Sequence, residues 1–222
     1  MNSVGDAFGF AFRDPAWVGK IAVQGLILLI PIVGWIAAVG WLLLAFENAR
    51  SGRNELPAAG FHLSRGIWLF LVYLIYLLVL NIPTFVLNSI GSHSVTSNGF
   101  TYTTGSPLGS LWQLLASLFL DFLTPTLVIM VYHHGFGGGF DLGNIWSYAT
   151  KNVTNSVIGG LVIFVGGIIG GLGFIACCIG VLFTIIYSAS ITAGVAAWFE
   201  RQQAAPAEPA APMAPPPPTP AA

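Results

Sequence analysis

Apolar residues run along this chain in long blocks, and polar residues collect between the blocks rather than alternating within them. A surface helix would show a one-faced pattern and a half-buried strand a two-residue period. About 20 consecutive apolar residues is instead the length of a helix that crosses a bilayer. The blocks predict membrane segments at residues 21–46, 66–87, 111–132, 157–176 and 179–199. The last two belong to one uncharged stretch, Val157–Phe199. As a single helix it would be roughly 64 Å long, about twice the hydrocarbon thickness, so it must fold into two spans with a tight turn near Ala176–Gly180.

The first block is different, because Pro31 and Gly34 interrupt Ile21–Phe46 near its middle. A proline inside a helix removes a backbone donor and clashes with the preceding turn, so the block is either one kinked span or a re-entrant hairpin of two half-length helices. The predicted fold class is therefore all-α, a polytopic integral membrane helical bundle with four full spans and one Pro-broken segment.

Between the blocks the polar residues are of two kinds. Glu47–Arg65 carries Arg50, Arg53 and Arg65, whereas Asn88–Gly109 is rich in Ser, Thr, Asn and Gly and holds no formal charge. By the positive-inside rule the first loop is cytoplasmic and the second is not. With the first block as a hairpin, all seven Lys and Arg fall on one side; as a single span, Arg13 and Lys20 move to the other. The count favours the hairpin.

Two short segments read as interfacial helices. In residues 1–20, Val4, Ala7, Phe8, Ala11 and Phe12 share a helical face opposite Asp6 and Arg13, and Asp14-Pro15 offers an N-cap and first-turn proline for the next helix. In residues 141–153, Asp141 offers a cap to a face of Leu142, Ile145, Trp146, Ala149 and Val153. Residues 202–222 are almost only Ala and Pro, a low-complexity tail on the cytoplasmic side that is expected to be disordered, with Pro215–Pro218 as a conceivable docking motif.

Composition sharpens this picture. Charged residues make up 7% of the chain, hydrophobic residues 55%, and the mean hydropathy is +0.82. Too little polar surface exists to cover a water-soluble enzyme, and a net charge of −1 gives no footprint for nucleic acid. The two cysteines, Cys177 and Cys178, are adjacent in an apolar run and read as buried thiols. The first apolar block is too long for a signal-peptide core and reads as a retained anchor, which places the chain in the cell membrane.

One formal charge falls inside a span. Asp121 lies near the centre of 111–132, where a carboxylate is costly and faces protein or water. Pro125, four residues on, leaves the Asp121 carbonyl without its helical donor, so that this carbonyl, the carboxylate and the hydroxyls of Thr124 and Thr126 form a candidate cation or proton site. The competing reading is a helix-packing clasp with Asp121 bonded to a neighbouring polar side chain. Gly166, Gly167, Gly170, Gly171 and Gly173 form overlapping small-xxx-small pairs, a helix-packing face for another span or for a second copy or membrane partner. His133-His134 point apart on a helix, and Gly135–Gly139 lacks the lysine of a phosphate loop, so neither predicts a metal or nucleotide, and no cofactor is expected.

Arg13-Asp14-Pro15-Ala16-Trp17, the run from Leu28 to Val33 around Pro31, Gly40-Trp41, and the loop from Arg50 to Pro57 with Gly66 beyond it resemble an uncharacterised prokaryotic membrane-protein family, the domain of unknown function 4013. The resemblance implies a multi-pass membrane protein and supplies no activity, cofactor or site residues. Two function classes remain: a non-enzymatic scaffold or accessory subunit, ranked first because the spans offer few selective groups, and a small transporter or channel component working through Asp121.

Overall fold

The computed structural model describes residues 3–97 and 100–204, with side chains left aside at 95, 97, 100–103 and 176–179. The Ala/Pro tail beyond Ala204 and the thiols of Cys177 and Cys178 lie outside the described residues. In chain order the elements are α1 (Trp17–Ile27), α2 (Val33–Arg50), α3 (Leu63–Gly91), β1 (His93–Ser97), β2 (Phe100–Thr104), α4 (Pro107–Gly138), α5 (Leu142–Thr150), α6 (Val153–Leu172) and α7 (Cys177–Ala204). Four helical stretches are long and apolar enough to cross a membrane: Leu63–Gly91, Pro107–Gly138, Val153–Ile175 and Gly180–Ala204. The chain is a multi-pass helical membrane protein.

The first block is a hairpin. Helices α1 and α2 meet at Leu28–Ile32, where Val33 N donates to the Pro31 carbonyl at 2.6 Å around Ile32 at φ 64°, ψ −58°. That is a γ-turn of the positive-φ kind, a strained conformation for a β-branched residue. Gly34 lets α2 leave against Ile27, since a Cβ there would lie 2.7 Å from the Leu28 Cα. At the other end, Asp14 ties the two strands of the hairpin together. Its carboxylate accepts from the Ala16 amide (2.8 Å), from Lys20 Nζ (2.7 Å) and from the amide of Leu56 (2.8 Å), which lies beyond α2. The entry to α1 therefore lies beside the loop that leaves α2. Asp14 serves this junction, and α1 starts at Trp17, later than the Asp-Pro signal predicts.

Burial alone would raise the Asp14 carboxyl, but the Lys20 ammonium and the two amides outweigh it and hold the carboxyl below its ordinary 3.8.

Residues before α1 depart from expectation. They form two 3-10 turns, Val4–Ala7 and Ala11–Arg13, not one amphipathic helix. Ala7, Phe10 and Ala11 are buried, and Tyr187 of α7 donates to the Phe8 carbonyl at 2.8 Å, so the stretch packs against the bundle. Phe10, off the apolar face of the helical reading, becomes a core residue once that helix is abandoned. The segment 141–153 does start on Asp141, whose carboxylate accepts from the Asn144 amide at 3.1 Å, and α5 buries Ile145 and Ala149 while Leu142 and Trp146 stay exposed.

Helices α3 and α4 run past their predicted spans. The uncharged loop between them contains a β-hairpin pairing His93 with Thr104 and Ser97 with Phe100, and Asn88 Oδ1 accepts from the Ser106 amide at 2.9 Å to join the two helix ends. The α6–α7 turn comes slightly earlier than expected, at Gly173–Ala176, because Gly173 can approach the Val181 backbone closely; a Cβ there would lie 2.5 Å from the Val181 Cα.

Helix burial divides the bundle across its thickness. Leu123–Ile129 of α4 is buried on every face, as is the stretch from Ala193 to Phe199 of α7. In the other half of α4, Leu108, Leu111, Leu114, Leu115 and Phe119 are exposed, and so are Ser110, Gln113 and Ser117 between them. One half of α4 is thus enclosed by the other helices, while the other half is largely exposed apart from its contact with α3, where Trp112 Nε1 donates to the Leu80 carbonyl at 2.9 Å.

Charged groups collect at the packed end. Glu200 of α7 bonds both Arg50 of α2 (2.9 Å) and His133 of α4 (2.8 Å), and Arg201 Nη2 donates to the Ala49 carbonyl at 2.9 Å. Arg65 pairs with Glu47, and Lys151 donates to the Gln203 carbonyl at 3.2 Å.

Candidate functional site: a carboxylate between two cavities

The site begins with the spacing of polar residues on α4. Ser110, Gln113, Ser117, Asp121 and Thr124 recur every three or four residues and so share one face of the helix, a polar stripe that ends where the packed half begins. Asp121 occupies the boundary. Two cavities meet at it, both bordered by Leu77, Leu120 and Asp121.

The smaller cavity, about 230 Å³, lies in the open half and is lined by Gln113 and Ser117 of the stripe and by Asn81 of α3. The larger, about 380 Å³, is reached by all of α2, α3, α4, α6 and α7. Its polar side chains are Tyr73, Asp121, Thr124, Ser188 and Thr192, and its remaining wall is apolar, with Trp35 and Phe70 among it. Among the described residues the Asp121 carboxylate pairs with no cation and accepts no hydrogen bond. Every Lys and Arg is engaged elsewhere: Arg13 with Asp6, Lys20 with Asp14, Arg50 with Glu200, Arg65 with Glu47, Arg53 with Ser51, and Lys151 and Arg201 with backbone carbonyls.

Two of the hydroxyls have their hydrogens committed. Thr124 Oγ1 donates to the Leu120 carbonyl at 2.8 Å and Thr192 Oγ1 to the Ser188 carbonyl at 3.1 Å, the back-bonding that hydroxyls adopt within helices.

The structure brings Asp121 and Thr124 into one cavity and takes Pro125 and Thr126 away from it. Pro125 faces Gly159 of α6, where a Cβ would lie 3.5 Å from Pro125 Cγ. Thr126 is fully buried, and its hydroxyl has no partner among the described residues. The expected oxygen cluster of Asp121, Thr124 and Thr126 is therefore split, because residues 125 and 126 turn about 100° and 200° from Thr124 around the helix. In its place stand Tyr73, Ser188 and Thr192 from other helices, which no local pattern around Asp121 could reveal. Gln113 and Ser117 were missed as well, and their helical spacing with Ser110, Asp121 and Thr124 is the signal that could have found them.

The glycines of α6 also divide. Gly166 and Gly170 face α7, with a Cβ at either position 3.5–3.6 Å from Ser188, and Gly173 packs at the turn. A Cβ at Gly167 or Gly171 would meet nothing within 4 Å, and Gly167 lines the larger cavity. The closest approach to α4 is made instead by Gly160, against Asp121 and Phe122.

Among known proteins, the model of the family described as "Protein of unknown function (DUF4013)" matches residues 23–181. The chain belongs to this family. The matched stretch runs from within α1 into the beginning of α7, so it includes the Asp121 region and most of the larger cavity's walls, leaving Ser188 and Thr192 outside. No curated protein and no solved structure matches the chain.

Proposed function

We propose that this family member is a small transporter or channel component, and that a solute reaches Asp121 from the uncharged face through the cavity of Asn81, Gln113 and Ser117. Of the two classes left by the sequence, the scaffold and the transport component, the geometry favours the second. The observation that carries the reading is the unpaired Asp121 carboxylate at the junction of two cavities in the middle of the bundle. An intramembrane ionisable group beside a cavity is the usual mark of a substrate or ion path. The packed half of α4 and α7 is then the barrier that a conducting state opens. The role is one of binding and passage, not of catalysis.

In this reading the charged end faces the cytoplasm of the plasma membrane, with the C-terminal tail on the same side, and the β-hairpin faces out. A cysteine in place of Ser94 should react with a membrane-impermeant thiol reagent added to intact cells, and one in place of Arg53 should not. The reverse pattern would invert the orientation.

The test of function is flux into liposomes reconstituted with the full chain, comparing wild type with Asp121→Asn. Uptake of a cation or protons that Asp121→Asn abolishes is expected. Absence of flux for every solute under an imposed gradient, with the wild type folded, would overturn the reading.

A further inference from the structure

Resting on the transport reading above, we infer that the larger cavity takes an organic ammonium, a positively charged nitrogen carried on an apolar body, in preference to a bare inorganic cation. The first argument is complementarity of donors and acceptors. Thr124 and Thr192 have already donated their hydrogens to the Leu120 and Ser188 carbonyls, so neither hydroxyl has a hydrogen left to give a ligand. The Asp121 carboxylate is an acceptor throughout when ionised. With three of the five polar side chains able only to accept, and one of these an unpaired negative charge, the cavity suits a group that is all donors and positive, which is what an ammonium is; the hydroxyls of Tyr73 and Ser188 can accept as well.

The second argument is coordination. A hard cation such as calcium requires six to eight oxygens at about 2.3–2.6 Å, converging on one point. Here five polar side chains are distributed over α3, α4 and α7 around a space of about 380 Å³, within the usual size range of small-molecule pockets and far larger than any dehydrated ion. An ion would have to keep its water against walls that are mostly hydrocarbon. A ligand with its own apolar body covers those walls instead, and the aromatic rings of Trp35, Phe70 and Tyr73 border the space it would occupy.

The third argument is the shape of the wall at Gly167. It contributes no side chain, and a Cβ there would meet nothing within 4 Å, so part of the cavity's wall on α6 is bare helix backbone. This leaves room for an apolar body in the cavity that holds the charge, and a larger side chain at residue 167 can enter that space without displacing a neighbouring helix.

The experiment is equilibrium binding of radiolabelled 4-phenylbutylamine, protonated at pH 7, to the full chain in nanodiscs of zwitterionic lipid, with empty nanodiscs as background. Saturable binding is expected that Asp121→Asn weakens by at least about tenfold, the loss expected on removing one member of a desolvated charge pair. Gly167→Phe should abolish it while leaving the thermal unfolding midpoint unchanged, which separates a filled cavity from a misfolded chain. Neutral 4-phenylbutanol and millimolar sodium or potassium should not compete. If sodium, potassium or protons move through the protein in an Asp121-dependent way and 4-phenylbutylamine does not bind, the inference is overturned and the transport reading stands. Equal binding of the amine and the alcohol, insensitive to Asp121→Asn, would overturn the inference. Neither binding nor flux would overturn both.

Discussion

Gly160 of α6 lies flat against the backbone of Phe122 in α4: a Cβ at residue 160 would sit 2.9 Å from the Phe122 Cα and 3.0 Å from its nitrogen. Further along the same helix, Gly167 faces open space. Two glycines in one helix thus answer to different demands, one to contact and one to volume. Gly160→Ala should force α6 away from α4 and lower stability by about 1–3 kcal/mol, the usual penalty of overpacking. Gly167→Ala should leave stability unchanged or raise it by up to about 1 kcal/mol through helix propensity. Unfolding in mixed micelles distinguishes them, and equal losses for the two variants would contradict the packing described.

The Asp14 junction gives the hairpin an acid-sensitive root. The folded carboxyl is held below its ordinary 3.8, so its stabilising contribution is fully present above that value and is lost as the pH falls through the folded value. Asp14→Asn should cost about 3 kcal/mol at neutral pH, because the partly buried Lys20 ammonium loses its counter-charge and keeps only the Leu56 carbonyl. It should also flatten the decline in melting temperature below pH 4. A variant that melts with the same acid profile as the wild type would show that another carboxyl controls it.

Strain at the hairpin tip predicts a substitution that stabilises. Ile32 is 65% exposed and its φ of 64° is natural only for glycine. Ile32→Gly should raise stability by roughly 1 kcal/mol by relieving a conformation that costs about 1–3 kcal/mol. The measurement is the unfolding midpoint against wild type, and Ile32→Val, which keeps the branched side chain, should show no gain.

Glu200 and Glu47 each pair with an arginine, yet they should not be equivalent. The Glu200 side chain is 17% exposed and bonds both Arg50 and His133, whereas the Glu47 and Arg65 side chains are 31% and 52% exposed. Glu200→Ala should cost about 2 kcal/mol and Glu47→Ala less than about 1 kcal/mol. Parallel denaturation of the two variants tests the ranking.

Much of this architecture was legible from the distribution of apolar blocks. Length alone separates Val157–Phe199 into two helices, whereas Pro31 leaves a kink and a hairpin both open, since Pro83 and Pro125 stay inside continuous helices, and the Lys and Arg count tips the choice to the hairpin. Local patterns failed where tertiary contact decided. The face of Ala7 and Ala11 reads as an amphipathic helix on paper, but it binds α7 through Tyr187, and Gly5 and Gly9 allow tight turns in place of a helix. The strands around Tyr102 were hidden within a polar stretch that carries loop residues beside β-forming ones. At the candidate site, Asp121 stood out because charge is rare in a span. Tyr73, Ser188 and Thr192 did not, since a single hydroxyl in an apolar helix is common and only its position around the bundle gives it a role.

The division of α4 into a packed half and an open half has a mechanical consequence. A rod gripped along part of its length flexes at the edge of the grip, and here that edge falls at Leu120–Asp121, just before Pro125 removes a hydrogen bond from the rod. Rocking of the exposed half, which Trp112 Nε1 ties to the Leu80 carbonyl at 2.9 Å, would carry α3 with it and pivot near Asp121. In such a motion the carboxylate would move least, while Gln113 and Ser110, farther along the lever, would travel most. The mouth of the site can widen and narrow while the charge that anchors a guest stays in place.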